Sequence, residues 1–308
     1  MANMKLADLT QNMTDGKFTT HDGTQIHYYL VECENPKYVV QIAHGMEEYS
    51  RIYFEFANFL SKNNCIVFMI DQRGHGRTAK SLQHLMHVNG DIFDQTVKDH
   101  IFISKMLKEK YNLPLILFGH SYGSFISQEY ILNCDLADKV ILSGSAYMKV
   151  PKIRLAKALS KHYAEKYGNN TRADIIERLT ILTYAQRFAN QEGSWITSDK
   201  GQSAIFYNDK YNGKTATYGF YKYMFTHQLK LYDYNKLKAA KNNAKILVAS
   251  GDKDPIGESG RLVKRLYQNY KKYGFDVELK LYKDMRHGIV QEKRRDIVFK
   301  DILEFIQS

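Results

Sequence analysis

The residues best placed to do chemistry begin with Gly119-His120-Ser121-Tyr122-Gly123, a G-x-S-x-G pentapeptide between the apolar run Leu115–Phe118 and an apolar stretch starting near Ser124. A sharp strand-to-helix turn of this kind holds its serine in a strained, exposed conformation, and glycines stand where larger side chains would meet neighbouring backbone. A serine hydroxyl is a poor nucleophile until a base removes its proton, and that base needs an acid to orient it. Both types occur downstream. Ser250-Gly251-Asp252-Lys253-Asp254-Pro255 offers two candidate acids, and Asp284-Met285-Arg286-His287-Gly288 offers the candidate base, His287. Upstream, His44-Gly45-Met46-Glu47-Glu48 follows the apolar run Tyr38–Ala43. There the backbone amide of Met46, with that of Tyr122, is placed to stabilise a tetrahedral oxyanion, a contribution of roughly a hundredfold or more in turnover per donor. His44 is expected to hold that loop rather than to catalyse.

The elements that must position these residues follow from periodicity. His21-Asp22-Gly23 between two strand-like runs predicts an opening antiparallel hairpin. Tyr38–Ala43, Cys65–Ile70, Leu115–Phe118 and Val140–Leu142 read as buried strands, with helical patterns between them marked by Phe56, Phe59 and Leu60 and by Ile101, Ile103, Met106 and Leu107. The alternation stops near Tyr147 and resumes at Lys245 with a strand, a helix over Arg261–Tyr273, a VELKLY strand and a C-terminal helix carrying Val298, Ile302, Phe305 and Ile306. This predicts an α/β class with a mostly parallel eight-stranded sheet, helices on both faces, core parts at 1–147 and 234–308, and an inserted helical cap at 148–233. The order serine, aspartate, histidine is that of the α/β-hydrolases. The insertion is helical first (Ile175, Ile176, Leu179, Leu182) and then aromatic, with ten Phe or Tyr residues from Phe206 to Tyr234. Such a stretch either packs on the core or lines an apolar pocket; Tyr207, Tyr211, Phe220 and Tyr223 are the candidate substrate-binding residues.

Composition narrows the alternatives. At 308 residues and 44% hydrophobic the chain can bury a substantial core. The net charge of +11 favours anionic surfaces, but the basic residues are scattered in short groups and no nucleic-acid module surrounds them. Cys33, Cys65 and Cys134 are odd in number and widely spaced, so they are expected to be reduced and buried, with neither a disulfide framework nor a zinc site. His84 and His87 form an HxxH pair without a third ligand. The loop Asp71–Arg77 has only GxG, and Gly213-Lys214-Thr215 lacks the first glycine of a P-loop, so nucleotide binding is not indicated. MANMKLADLTQNMT lacks a signal-peptide h-region and nowhere do 18 apolar residues run together, which predicts a soluble, cytoplasmic protein.

Taken together, HGMEEYSRIY, DQRGHGRT, GHSYGS, GDKDPIG and RHG resemble the monoacylglycerol lipases and bacterial lysophospholipases, also called the serine aminopeptidase S33 group. Trp195-Ile196-Thr197-Ser198-Asp199 resembles the Trp-x-[Ser/Thr]-x-Asp stretch of that family's cap. The resemblance implies Ser121 as nucleophile, Asp254 as the triad acid by its G-x-x-D spacing from Gly251, His287 as base, and Met46 and Tyr122 as oxyanion donors. One departure is that Tyr49 replaces the histidine of HGxxEHSxRY and Arg51 stands one place early. The resemblance further implies a lipid or small ester substrate, no metal or organic cofactor, and a basic surface that could approach anionic membranes. Competing readings are a carboxylesterase for short or aromatic esters, a non-catalytic ligand receptor and a peptidase. Against the last, the sequence shows no evident acidic pocket for a substrate amino terminus.

Overall fold

The computed structural model describes residues 12–240 and 242–308. The first eleven residues, most of the segment read for a signal peptide, lie outside the described residues. Eight strands form one sheet: β1 (Met13–Thr19), β2 (Gln25–Val31), β3 (Tyr38–Ala43), β4 (Cys65–Ile70), β5 (Leu115–His120), β6 (Lys139–Ser143), β7 (Lys245–Gly251) and β8 (Val277–Tyr282). Their order is β1-β2-β4-β3-β5-β6-β7-β8. β2 runs antiparallel to both neighbours and every other pairing after it is parallel. The Asp22-Gly23 turn closes the β1–β2 hairpin as expected, with Gly23 at φ 83°.

β4 and β5 are buried at every position because helices cover both faces, which explains their unbroken apolar runs. Alternate residues serve opposite faces. Ile116 and Phe118 pack with α1 (Phe54–Ser61) and the C-terminal helix α11 (Arg295–Gln307). On the other face, Leu115 meets α2 (Ile92–Tyr111), while Leu117 meets α3 (Tyr122–Asn133) and α10 (Arg261–Lys272). Cys65 is buried, but Cys33 and Cys134 are only half-buried, because each sits just past the end of its element.

Between β6 and β7 the described residues add no strand. It forms α4 (Val150–Tyr167), α5 (Asp174–Leu179), α6 (Ile181–Gln186), α7 (Lys200–Asn208), α8 (Tyr218–Gln228) and α9 (Tyr234–Ala239). The aromatic helix α8 rests on α4 and on the N-terminal halves of α2 and α3, where Phe220, Tyr221 and Phe225 join Phe93, Tyr122 and Phe125 in one apolar cluster. No helix among the described residues is long and apolar enough to cross a membrane.

A charged clamp fastens α8 to the core. His227 Nε2 lies 3.0 Å from Asp91 Oδ2, at the start of α2, and His227 Nδ1 lies 3.2 Å from Glu129 Oε2 on α3, close but not aligned as a hydrogen bond. Burial disfavours the charged ring, yet the two carboxylates outweigh it and raise its pKa to about 9. His227 therefore binds a proton on folding that the unfolded chain gives up near pH 6.5, so the clamp contributes fully below that pH and is lost as pH rises through about 9. Asp91→Asn keeps a competent helix-capping residue and removes the charge. We expect it to destabilise the fold by about 1–3 kcal/mol at pH 7, with the deficit shrinking toward zero by pH 10. Urea unfolding at the two pH values checks this; an equal deficit at both would show that His227 is not charged in the clamp.

Candidate active site

Ser121 occupies the turn between β5 and α3 with φ 51° and ψ −116°, a conformation rare for a residue with a side chain. Its amide donates to the carbonyl of Ser143 on β6 at 2.9 Å, and its carbonyl accepts from Ser124 N at 2.9 Å, so the turn is held from both sides. The flanking glycines are required by close approach. A Cβ on Gly123 would overlap the carbonyls of Ala43 and His44, and one on Gly119 would overlap Ser127 and the carbonyl of Gly123.

His287 follows β8 and is 2% exposed. Its Nδ1 lies 3.0 Å from Asp254 Oδ2, while its Nε2 is buried with no hydrogen-bond partner among the described residues. Ser121 and His287 line the same cavity, of about 310 Å³. Asp254, fully buried in the loop after β7, also accepts from Ser250 Oγ at 2.7 Å and from the Ile256 amide at 2.9 Å, which fixes its carboxylate. The other candidate acid, Asp252, is turned away and accepts from the amide of Asp284 at 2.7 Å. Beside the histidine, the ring of Trp195 stacks on His287 at 5.2 Å and 26°, and His120 lies 4.7 Å away. Burial and then the neighbouring His287 hold His120 well below its ordinary pKa, so it stays neutral and does not compete for the proton.

Met46 and Tyr122 both border the cavity beside Ser121, and neither amide meets a partner among the described residues. Tyr122 opens α3, so its amide is one of the unpaired donors of a first helical turn. The loop carrying Met46 is braced from behind. Glu48 Oε1 accepts from Gly45 N at 2.6 Å and from Tyr53 Oη at 2.5 Å; Gln72 N donates to His44 Nε2 at 2.9 Å and Gln72 Nε2 to the His44 carbonyl at 2.7 Å. His44 thus holds the loop. The Asp71–Arg77 segment is likewise a brace: Asp71 accepts from the amides of Ser50 and Arg77 at 3.2 and 2.7 Å, and Arg73 pairs with Asp99 and Asp22.

Of the four aromatic residues expected to line a substrate pocket, only Tyr207 does so. Phe220 is fully buried against Tyr122 and His75, Tyr223 packs at the edge of the same cluster beneath Lys222, and Tyr211 lies against Tyr49. The lining face of α8 is instead Tyr221, Met224, Phe225 and Gln228, at i, i+3, i+4 and i+7. Sequence reasoning also missed Glu47 and Glu177, which enter the cavity wall from the loop after β3 and from α5. No acidic pocket is evident in the sequence because these two residues stand 130 positions apart and are joined only by the fold of the insertion.

The family model for serine aminopeptidase, S33, matches residues 34–294. The chain belongs to this family. Relatives of this S33 chain include the monoglyceride lipase of Saccharomyces cerevisiae, 26% identical over 95% of this chain and 93% of that protein. A second is the monoacylglycerol lipase of Mycolicibacterium smegmatis, 24% identical over 89% of each. Among solved structures, an open-form lipase superposes with a TM-score of 0.84 at 24% identity, covering 96% of this chain and 98% of that one. A soluble variant of the yeast monoglyceride lipase with a substrate analogue gives 0.72 at 22%, covering 95% and 93%. These likenesses establish the α/β-hydrolase fold of this S33 member.

Because the Ser121 turn leaves no room behind Gly123, Gly123→Ala should force β3 and α3 apart and destabilise the S33 fold by about 3 kcal/mol or more. Thermal unfolding of the variant beside the parent checks this; an unchanged midpoint would mean that the turn can relax.

Proposed function

We propose that this chain hydrolyses carboxylic esters of lipid type, monoacylglycerols or lysophospholipids, through an acyl-enzyme on Ser121. The observation that carries the reading is His287: oriented by Asp254 at 3.0 Å, it presents an unpartnered Nε2 in the cavity that Ser121 also lines. The names of the yeast and mycobacterial relatives support the substrate class.

In this mechanism Ser121 Oγ attacks the ester carbonyl as its proton passes to His287 Nε2, and the amides of Met46 and Tyr122 receive the oxyanion. Collapse expels the alcohol, which takes the proton from His287, and leaves the acyl group on Ser121. Water then repeats the sequence, giving up a proton to His287 and releasing the acid. Asp254 holds the imidazole in orientation and stabilises the imidazolium. The acyl chain lies along Phe125, Met148, Ile181, Tyr184 and Phe225, where burial of each methylene favours binding by about 0.8 kcal/mol. A second reading, a carboxylesterase for shorter esters, draws on the modest volume of the cavity, about 310 Å³.

The insertion also supports contact with a lipid surface. Leu155, Tyr167, Ile175, Leu179, Leu182, Ile205 and Tyr207 are all large apolar residues exposed on it, and Leu182 and Tyr207 reach the cavity as well. Lys152, Arg154, Lys161, Lys166 and Arg178 are exposed among them, a mixture suited to anionic headgroups.

Ser121→Ala should abolish hydrolysis without unfolding the chain, and Asp254→Asn should lower kcat by about 10⁴ while Asp252→Asn changes it little. Steady-state rates on a p-nitrophenyl ester decide this; activity retained in Ser121→Ala, or reversed effects of the two aspartates, would overturn the assignment. Ala185→Phe places bulk in the cavity wall and should lower the octanoate-to-acetate ratio by roughly fourfold per excluded carbon. A ratio that moves less than twofold would mean the acyl chain lies elsewhere.

A further inference from the structure

The chain carries a net charge of +11, yet the wall of the cavity that Ser121 and His287 line holds the glutamates Glu47, Glu48 and Glu177 and, among the described residues, no lysine or arginine. Glu48 is consumed by the Gly45 amide and the Tyr53 hydroxyl. The other two are not. Glu47 is 7% exposed and its side chain takes one long hydrogen bond, from Ala216 N at 3.2 Å; Glu177 Oε2 is buried with no hydrogen-bond partner among the described residues. Arg172 stands behind them, but its guanidinium donates to the carbonyls of Leu85, Thr215 and Gln83 at 2.7, 2.9 and 3.0 Å and faces the backbone.

A further polar atom borders the cavity without a partner among the described residues, the hydroxyl of Tyr221, a residue 1% exposed. A buried oxygen left unpaired costs free energy, and this hydroxyl lies close enough to Glu47 and Glu177 to feel both charges. When ionised, the two carboxylates accept hydrogen bonds from a cationic ligand. The remaining wall offers the aromatic faces of Tyr184, Trp195, Phe206 and Phe225, which attract cations through their ring quadrupoles.

Resting on the ester-hydrolase reading above, we propose that Glu47, Glu177 and Tyr221 form a cation subsite that selects esters bearing an ammonium group. Burial, and then the charge of Glu177, raise the Glu47 carboxyl to about 8, so without a ligand a proton takes the place that the cation fills. The subsite therefore separates ammonium esters from neutral ones.

The test compares isosteric pairs. Butyrylcholine is measured against 3,3-dimethylbutyl butyrate, which replaces the quaternary nitrogen by carbon, and p-nitrophenyl 6-aminohexanoate against p-nitrophenyl heptanoate, so that a cation on the alcohol side and one on the acyl side are probed separately. We expect kcat/KM to favour the cationic member of at least one pair by tenfold or more, and Glu177→Gln and Glu47→Gln each to bring that ratio down at least threefold. A structural role for the glutamates would change both members of a pair together and leave the ratio where it was, which overturns the proposal. Equal rates within both pairs for the parent chain also overturn it while leaving the ester-hydrolase reading intact. A chain that turns over none of the four esters overturns both.

Discussion

Everything in this molecule that could act on a substrate depends on one strained turn at the end of β5. Holding Ser121 at φ 51° costs of order 1–3 kcal/mol, and the cost is sustained because the surroundings leave no alternative. β5 is central in the sheet, hydrogen-bonded to β3 on one side and β6 on the other. The Ser143 carbonyl at the end of β6 fixes the Ser121 amide, and the carbonyls of Ala43 and His44 at the end of β3 crowd Gly123. The same two neighbours that constrain the turn therefore deliver the Met46 loop and the start of the insertion to its sides. Ligands of open α/β sheets gather at the carboxyl ends of strands for this geometric reason.

The insertion and the histidine loop are fastened to one another as firmly as either is to the core. Arg286, adjacent to His287, donates to the carbonyls of Glu192 and Ser194 at 2.8 and 2.6 Å, and its own amide donates to Glu292 at 2.7 Å. Glu292 also receives the Ser198 amide, and Gly288 N donates to the Ile196 carbonyl at 2.7 Å. Trp195 closes this seam by stacking on the imidazole itself. A displacement of the 191–199 segment would consequently move His287, so the insertion and the imidazole share the same scaffold.

This division explains what could be read from the amino-acid sequence. The strands and the serine turn are local: an apolar run ending in G-x-S-x-G implies the turn because backbone sterics near the glycines allow little else. The choice of Asp254 over Asp252 rests on resemblance to a family; in the structure Asp254 Oδ2 lies 3.0 Å from His287 Nδ1, while Asp252 accepts from the amide of Asp284. The lining of the cavity was not legible. Aromatic residues occur around nearly the whole circumference of α8, so composition does not tell which face meets the core; Phe220 packs inward and its neighbour Tyr221 opens onto the cavity. Glu47 and Glu177 were invisible for a related reason. Each reads as an ordinary surface glutamate until the folding of the insertion brings α5 over the loop after β3.

The opposite signs of the surface and the cavity need not conflict, because they act over different distances. Exposed lysines and arginines are screened beyond about 8 Å at physiological ionic strength, so they govern which surfaces the protein approaches and contribute little inside the cavity. Glu47 and Glu177 sit in a wall of aromatic and aliphatic side chains, where screening by ions is absent and each unit of charge is felt strongly. A positively charged exterior can thus draw the molecule to an anionic surface while the interior sorts what enters by charge of the other sign. Leu182 and Tyr207, which are exposed and also border the cavity, are uncharged.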